Sequence, residues 1–230
     1  MGEGHRLERL ESGIPGLDEM IEGGFPMPSS ILVAGEPGTG KTTLGVQSLF
    51  HGARAGETGM YLTGISEPNW VVQKFLSGFT FFDQSLVEMG RVIFIDMGDA
   101  MRRNPDDVLN ALKGEVERYS PNRLVMDPVT VMRIAFEAQK KYREFLHDFT
   151  TFMKAFNCIT FLTSEMGYDD IPASLEGYMA DAILVLSYPK EENARRKYIE
   201  VLKMRGTKHL TGEQAVDIGR GGISVQPGLR

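Results

Sequence analysis

Apolar residues gather into short uninterrupted runs at 31–34, 60–63, 92–95, 124–126 and 159–163. Runs of this length, without polar alternation, predict strands buried on both faces. The stretches between them carry helical spacing. One helix is predicted over 41–53 and another over 68–76, with Ser66 as a candidate cap. A third, over 105–118, opens on Asn104, Pro105, Asp106 and Asp107, a capping residue followed by proline and first-turn acids. The clearest helix covers 139–156. There Tyr142, Phe145, Leu146, Phe149, Phe152, Met153 and Phe156 recur at helical spacing and form one stripe, read as core packing.

Strand–helix alternation predicts right-handed parallel crossovers and an open sheet covered on both sides. After Asp181 the pattern changes. Segments 182–187, 198–204, 215–218 and 223–226 are strand-like, with turn signals between them and no long helix. Successive hairpins follow, giving the parallel core an antiparallel edge. The expected fold is a single α/β domain over 1–230, with no repeat or splitting linker.

The first apolar run leads directly into GEPGTGKTT, residues 35–43, which fits G-x-x-x-x-G-K-[ST] between a strand and a helix. The segment comprises Gly35, Glu36, Pro37, Gly38, Thr39, Gly40, Lys41, Thr42 and Thr43. Its glycines permit backbone angles that turn amide N–H groups inward, and the helix that follows adds its positive dipole end. Such a loop cradles the phosphates of ATP. Lys41 reaches the β- and γ-phosphates, and Thr42 supplies a hydroxyl to Mg²⁺. The fourth run, in NRLVMDPVT, delivers Asp127 to the carboxyl end of the sheet, where such sheets bind ligands. Pro128 disfavours a helical Asp127, and the carboxylate can hold the magnesium shell.

Composition narrows the partners. The 230 residues carry a formal net charge of −6, with 42% hydrophobic and 24% charged residues. This is not the basic footprint of a general nucleic-acid binder. The single cysteine, Cys158, sits in an apolar run and allows no internal disulfide or cysteine-based zinc site. His5, His51, His147 and His209 form no metal-ligand spacing. The longest apolar runs are far shorter than the ~18 residues of a membrane span. A reducing, cytoplasmic setting is the expectation.

The chain resembles the KaiC-like branch of the RecA superfamily over nearly its whole length. The resemblance rests on an ordered set of segments: RLESGIPGLDEMIEGGFPMPSSILVAGEPGTGKTTL, ARAGETGMYLT, the Asp127 strand ending DPVT, TFLTSE, YMADAILVL and LKMRGTKHLTGE. It implies a RecA-like P-loop NTPase fold and a homo-oligomeric ring, usually a hexamer, with ATP between neighbouring subunits. Lys203 and Arg205 match the basic pair such rings place against the γ-phosphate of the adjacent subunit. In a strand, residues i and i+2 share a face, so the pair would act together. Read from spacing alone, they are a solvated basic strand face.

The departures matter as much. Family members carry a glutamate, often a pair, just past the second strand to orient the attacking water. Here that position falls on Ile65 and Ser66, with Glu67 one residue later. Either Glu67 takes the role after a small loop shift, or it is a first-turn helix acid and hydrolysis is very slow. Glu165, ending TFLTSE, is a second water-orienting candidate. The segment around Ser77 and the turn 218–220 are candidate neighbours of the adenine. The autophosphorylated members carry adjacent Ser and Thr where this chain has Gly177 and Tyr178, so clock-type phosphorylation is not expected.

Three functions compete. One is a ring-forming ATPase that switches conformation. Another is a non-hydrolysing ATP-binding scaffold serving a protein partner, like the RecA-like subunit of the archaeal motility motor. The third is a single-stranded DNA binder. The region GYDDIPASLEGY opposes the last, because Asp169, Asp170 and Glu176 stand there with no lysine or arginine. Arg133, Lys140, Lys141 and Arg143, near Phe136, are a mixed patch read as a solvated helix end.

Overall fold

The computed structural model describes residues 7–64, 68–103, 107–136 and 138–228. Among these, nine strands make the main sheet. They are β1 Ser30–Ala34, β2 Gly59–Thr63, β3 Val92–Asp96, β4 Arg123–Asp127, β5 Ile159–Ser164, β6 Ala182–Ser187, β7 Lys197–Met204, β8 Gln214–Gly219 and β9 Gly222–Gln226. Their order across the sheet is β3-β2-β4-β5-β1-β6-β7-β8-β9. From β3 to β6 every neighbour is parallel, and β7, β8 and β9 are added antiparallel. The expected parallel core and antiparallel edge are both present.

The apolar runs form strands because each must bury two faces. In β1, Ile31 and Val33 face one hydrophobic layer and Leu32 and Ala34 face the other. The first layer is packed by α1 (Lys41–Arg54) and α2 (Asn69–Leu76). The second is packed by α3 (Val108–Tyr119), α4 (Val129–Ala135) and α5 (Gln139–Ala155). The α5 stripe packs as its spacing predicts. Tyr142, Phe145, Leu146, Phe149 and Met153 are buried, while Phe152 and Phe156 are half-buried at its margin. Each such side chain contributes roughly 1.5–3 kcal/mol on burial.

Polar side chains set how the layers meet. Arg123, at the start of β4, is almost fully buried and grips Glu57 with two nitrogens at 2.6 and 3.0 Å. A third nitrogen donates to the Glu11 carbonyl and the Ser48 hydroxyl, at 2.8 and 2.9 Å. Removing one partner of such a buried pair costs about 3–5 kcal/mol. Gln47 of α1 accepts from the Ile223 amide at 2.7 Å and donates to the Gly13 carbonyl at 3.1 Å. That clamp draws the antiparallel edge over the start of α1. Cys158 is buried just ahead of β5, and burial pushes its thiol up.

Several expectations are revised. Arg205 does not share β7 with Lys203, because the strand ends at Met204 and its ladder is irregular between Val201 and Lys203. The alternation argument therefore fails for that pair. Glu176 is not a solvent-facing acid; it is buried and accepts from the Tyr142 hydroxyl at 2.7 Å. The chain after Pro128 turns directly into α4, an element the apolar pattern did not announce. Residue 68, a proline, caps α2 in extended conformation. Ser66, Asn104, Pro105 and Asp106 lie outside the described residues.

Candidate functional site

The phosphate loop runs from the carboxyl end of β1 into α1, with Gly40 at the helix cap in left-handed conformation (φ 110°). At φ 110° the backbone angle itself favours glycine there, while the tip of the Ile218 side chain, 2.6 Å from where a Cβ would sit, could move aside. A helix start leaves its first amides without intrahelical partners, and here they belong to Lys41, Thr42 and Thr43. Lys41 is 7% exposed and turns its ammonium back onto the Gly35 and Glu36 carbonyls, at 2.8 and 3.0 Å. Burial lowers its pKa, and the charges of Glu165 and Asp127 oppose that shift. Thr39 is buried and donates to the Glu36 carbonyl at 2.8 Å, closing the loop on itself.

Asp127 ends β4 beside this loop. Its Oδ2 accepts from the Thr42 hydroxyl at 2.6 Å and from the Tyr61 hydroxyl at 2.8 Å, and its Oδ1 accepts from the Thr163 hydroxyl. Strand register explains the meeting. Asp127 lies opposite Thr63 of β2, and Tyr61 is one full pleat earlier on the same face. On the other side, Met126 pairs Leu162, which puts Thr163 beside Asp127. All three donors are neutral hydroxyls, so no cationic side chain is hydrogen-bonded to this carboxylate among the described residues. A hydroxyl and a carboxylate in contact form an all-oxygen donor set, the kind a hard cation such as magnesium takes while keeping several waters.

A cavity of about 750 Å³ opens over the loop, a size that suits a nucleotide. Lys41, Thr42, Asp127 and Glu165 line one part of it, and Leu76, Phe79 and Ile218 line another. The Thr80 amide donates to the Arg220 carbonyl at 2.9 Å, so the segment after Ser77 and the turn between β8 and β9 come together. Ser77 itself caps back onto the Lys74 carbonyl.

Glu67, Ile65 and Ser66 lie outside the described residues. Sequence reasoning missed Tyr61 and Thr163, which were counted as core of apolar runs. A polar residue at the carboxyl end of a buried strand was the available signal. It also missed Lys197. That side chain lines the cavity, donates to the Gly38 carbonyl and sits 4.0 Å from the centre of the Tyr188 ring. Its pKa is lowered by desolvation.

Lys203 and Arg205 lie elsewhere. Lys203 donates to the Ala180 carbonyl at 2.6 Å, and Arg205 pairs with Asp181 at 3.0 Å. Asp181 in turn accepts from the amide of Ser30, the first residue of β1, at 3.0 Å. The phosphate loop follows the last residue of that strand, roughly 13 Å away at the usual rise. The two cations therefore stand at the amino-end edge of the sheet, not at their own chain's loop. Burial lowers the Lys203 pKa, and the neighbouring Arg205 adds to that shift.

Among the described residues, no helix is long and apolar enough to cross a membrane. A family model described as "ATPase: KaiC" matches residues 10–230. The circadian clock oscillator protein KaiC of Nostoc sp. is 28% identical over 236 residues, covering 97% of this chain and 45% of its own. The protein of the same name from Picosynechococcus sp. is 28% identical over 232 residues, covering 96% of this chain and 45% of its own. The chain thus spans less than half the length of these curated relatives. A solved KaiC-like protein from Pyrococcus horikoshii superposes with a TM-score of 0.84 at 30% identity, covering 96% of this chain and 100% of its own.

Proposed function

Because this chain belongs to the KaiC family of ATPases, we propose that it binds magnesium-ATP at the phosphate loop and hydrolyses it slowly as the conformational switch of a homo-oligomeric ring. The observation that carries the reading is Asp127 holding the Thr42 hydroxyl at 2.6 Å, directly beside the buried Lys41 ammonium. A fixed positive group, exposed helix amides and an oxygen pair on one loop match what a nucleoside triphosphate with its cation needs.

In this reading the amides of the loop from Gly35 to Thr43 receive phosphate oxygens. Lys41 leaves its two carbonyl partners and turns to the β- and γ-phosphates. Thr42 and Asp127 would hold Mg²⁺, which would supply charge neutralisation on the phosphate oxygens. Tyr61 and Thr163 keep the Asp127 carboxylate oriented. Leu76, Phe79 and Ile218 form the apolar slot for the base. Glu165 orients the attacking water, in place of the glutamate pair that Ile65 and Ser66 do not supply. Turnover is slow because the sequence offers no glutamate pair at Ile65 and Ser66 to share that task.

The cations at the amino-end edge favour assembly over a lone subunit. Lys203 and Arg205 lie at the opposite end of β1 from their own loop, so they would complete a site on another copy. A head-to-tail contact of this kind closes into a ring when its rotation divides a full turn. The two-fold contrast with the relatives' length leaves their clock activity as a property of those proteins.

Phosphate release by the wild type and by Lys41→Ala tests the site. A fall of about 10²–10³-fold is expected, as for loss of one transition-state donor. Equal rates would sink the reading. Mixing Lys41→Ala subunits with Arg205→Ala subunits tests the ring. Each alone keeps only residual turnover, and the mixture regains it at interfaces that pair an intact Lys41 with a neighbour's intact Arg205. No recovery after confirmed subunit exchange counts against assembly of the site across two copies.

A further inference from the structure

The acid that holds Arg205 has no role in the mechanism so far. Asp181 is 7% exposed and sits where β1, β6, β7 and α5 meet. Its Oδ2 accepts from the Ser30 amide at 3.0 Å and from the Lys154 ammonium at 2.7 Å. Its Oδ1 accepts from the Arg205 guanidinium at 3.0 Å. Its backbone is tied as firmly, with the Asp181 amide on the Ser30 carbonyl at 2.8 Å and the Arg205 amide on the Asp181 carbonyl at 3.0 Å. Arg205 is otherwise exposed, with 62% of its side chain open to solvent. An exposed arginine spreads over many rotamers unless its planar fork is held.

We infer that Asp181 is a positioning residue that aims Arg205, and with it Lys203, at the triphosphate bound by a neighbouring subunit. This deepens the ring reading above and rests on it. Two features suit the role. First, the charge is not cancelled. One carboxylate serves Lys154 and Arg205 together, and Lys203 stands alongside on the Ala180 carbonyl, so three cations face one acid and the edge stays positive. An isolated Asp–Arg pair would instead present a neutral group to phosphate. Second, the platform is rigid. The short helix Leu175–Met179, whose end carries the carbonyls that hold Lys203, is fixed by the buried Tyr142–Glu176 hydrogen bond. The same aspartate is bonded to the first residue of β1, whose other end becomes the phosphate loop. The aim of the cations is thus set by the strand that carries the subunit's own nucleotide site.

A double-mutant cycle reads this directly, using phosphate release by the assembled protein and titration with a fluorescent ATP analogue. Asp181→Asn should lower turnover roughly tenfold, the scale expected when a reacting group is misplaced, while analogue affinity is unchanged. Arg205→Ala should lower turnover further, and Asp181→Asn should then add nothing. A residue of purely structural importance would instead slow both backgrounds equally, and that result, or full turnover by Asp181→Asn, overturns the proposal. Full turnover by Arg205→Ala overturns the ring reading as well, which separates the two failures. If Asp181→Asn does not fold, Arg205→Lys replaces it, since it keeps the charge but loses the guanidinium nitrogen that donates to Asp181. Turnover roughly tenfold lower supports the inference, and wild-type turnover overturns it.

Discussion

Two aspartates stand at opposite ends of the same sheet and keep different company. Asp127, at the carboxyl end, accepts from three hydroxyls, those of Thr42, Tyr61 and Thr163. Neutral donors orient a carboxylate without neutralising it, so the group remains available to a cation. Asp181, at the amino end, accepts from Lys154, Arg205 and a backbone amide, and its charge is outnumbered. One end offers a carboxylate ringed by hydroxyls beside the phosphate loop. The other is a cationic surface whose groups already have partners in the isolated chain. The contrast teaches that one sheet can keep an open, hydroxyl-ringed carboxylate at one end and a cationic cluster at the other, a strand's length apart.

The largest effect expected at either edge is that of Arg205→Ala. It should reduce phosphate release about 10³-fold, as for other cations supplied in trans, with nucleotide affinity of the separated subunit unchanged. A parallel loss of affinity would place Arg205 at its own chain's site and erase the contrast. Next comes Glu165→Gln, which should lower turnover about 10²-fold at constant affinity if this carboxylate positions water. Unchanged turnover would remove Glu165 from the mechanism.

Tyr61→Phe probes the neutral shell of Asp127. It deletes one hydrogen bond of about 1 kcal/mol, so magnesium affinity should fall about fivefold in an ion titration at fixed nucleotide. No change would mean that Thr42 and Thr163 alone orient the acid.

The smallest effect is a pH dependence. Burial lowers the Lys41 pKa in the free protein, so the folded chain binds fewer protons than the unfolded chain below the ordinary lysine value of 10.5. Stability from this group therefore rises with pH across that interval. Triphosphate binding has the opposite sign, because it favours the charged ammonium. Nucleotide affinity should fall as pH climbs toward 10.5, with Lys197 adding to the same limb, and Lys41→Arg should flatten most of it. An affinity independent of pH in the wild type would show that Lys41 carries no such load.

Much of this molecule is legible locally. Short apolar runs without alternation, bounded by turn signals, point to strands covered on both faces, and the layers on either side of β1 bear that out residue by residue. The α5 stripe and the loop ending in Lys41 and Thr42 are likewise local patterns, set by helical period and by where glycine is tolerated. Asp127 was legible as a carboxylate at a strand end. What no window of sequence contains is the order and register of strands distant in the chain. That order puts Tyr61 and Thr163 on Asp127, buries Glu176 against Tyr142, and brings Lys197 to the Gly38 carbonyl. It also carries Arg205 past the end of β7 to Asp181 at the far edge, where strand alternation had placed it beside Lys203 on one face. Local spacing sets what each segment can be. Pairing between segments far apart in sequence decides which side chains meet, because it depends on closing long loops and on the fit of whole layers rather than on any residue's own preference.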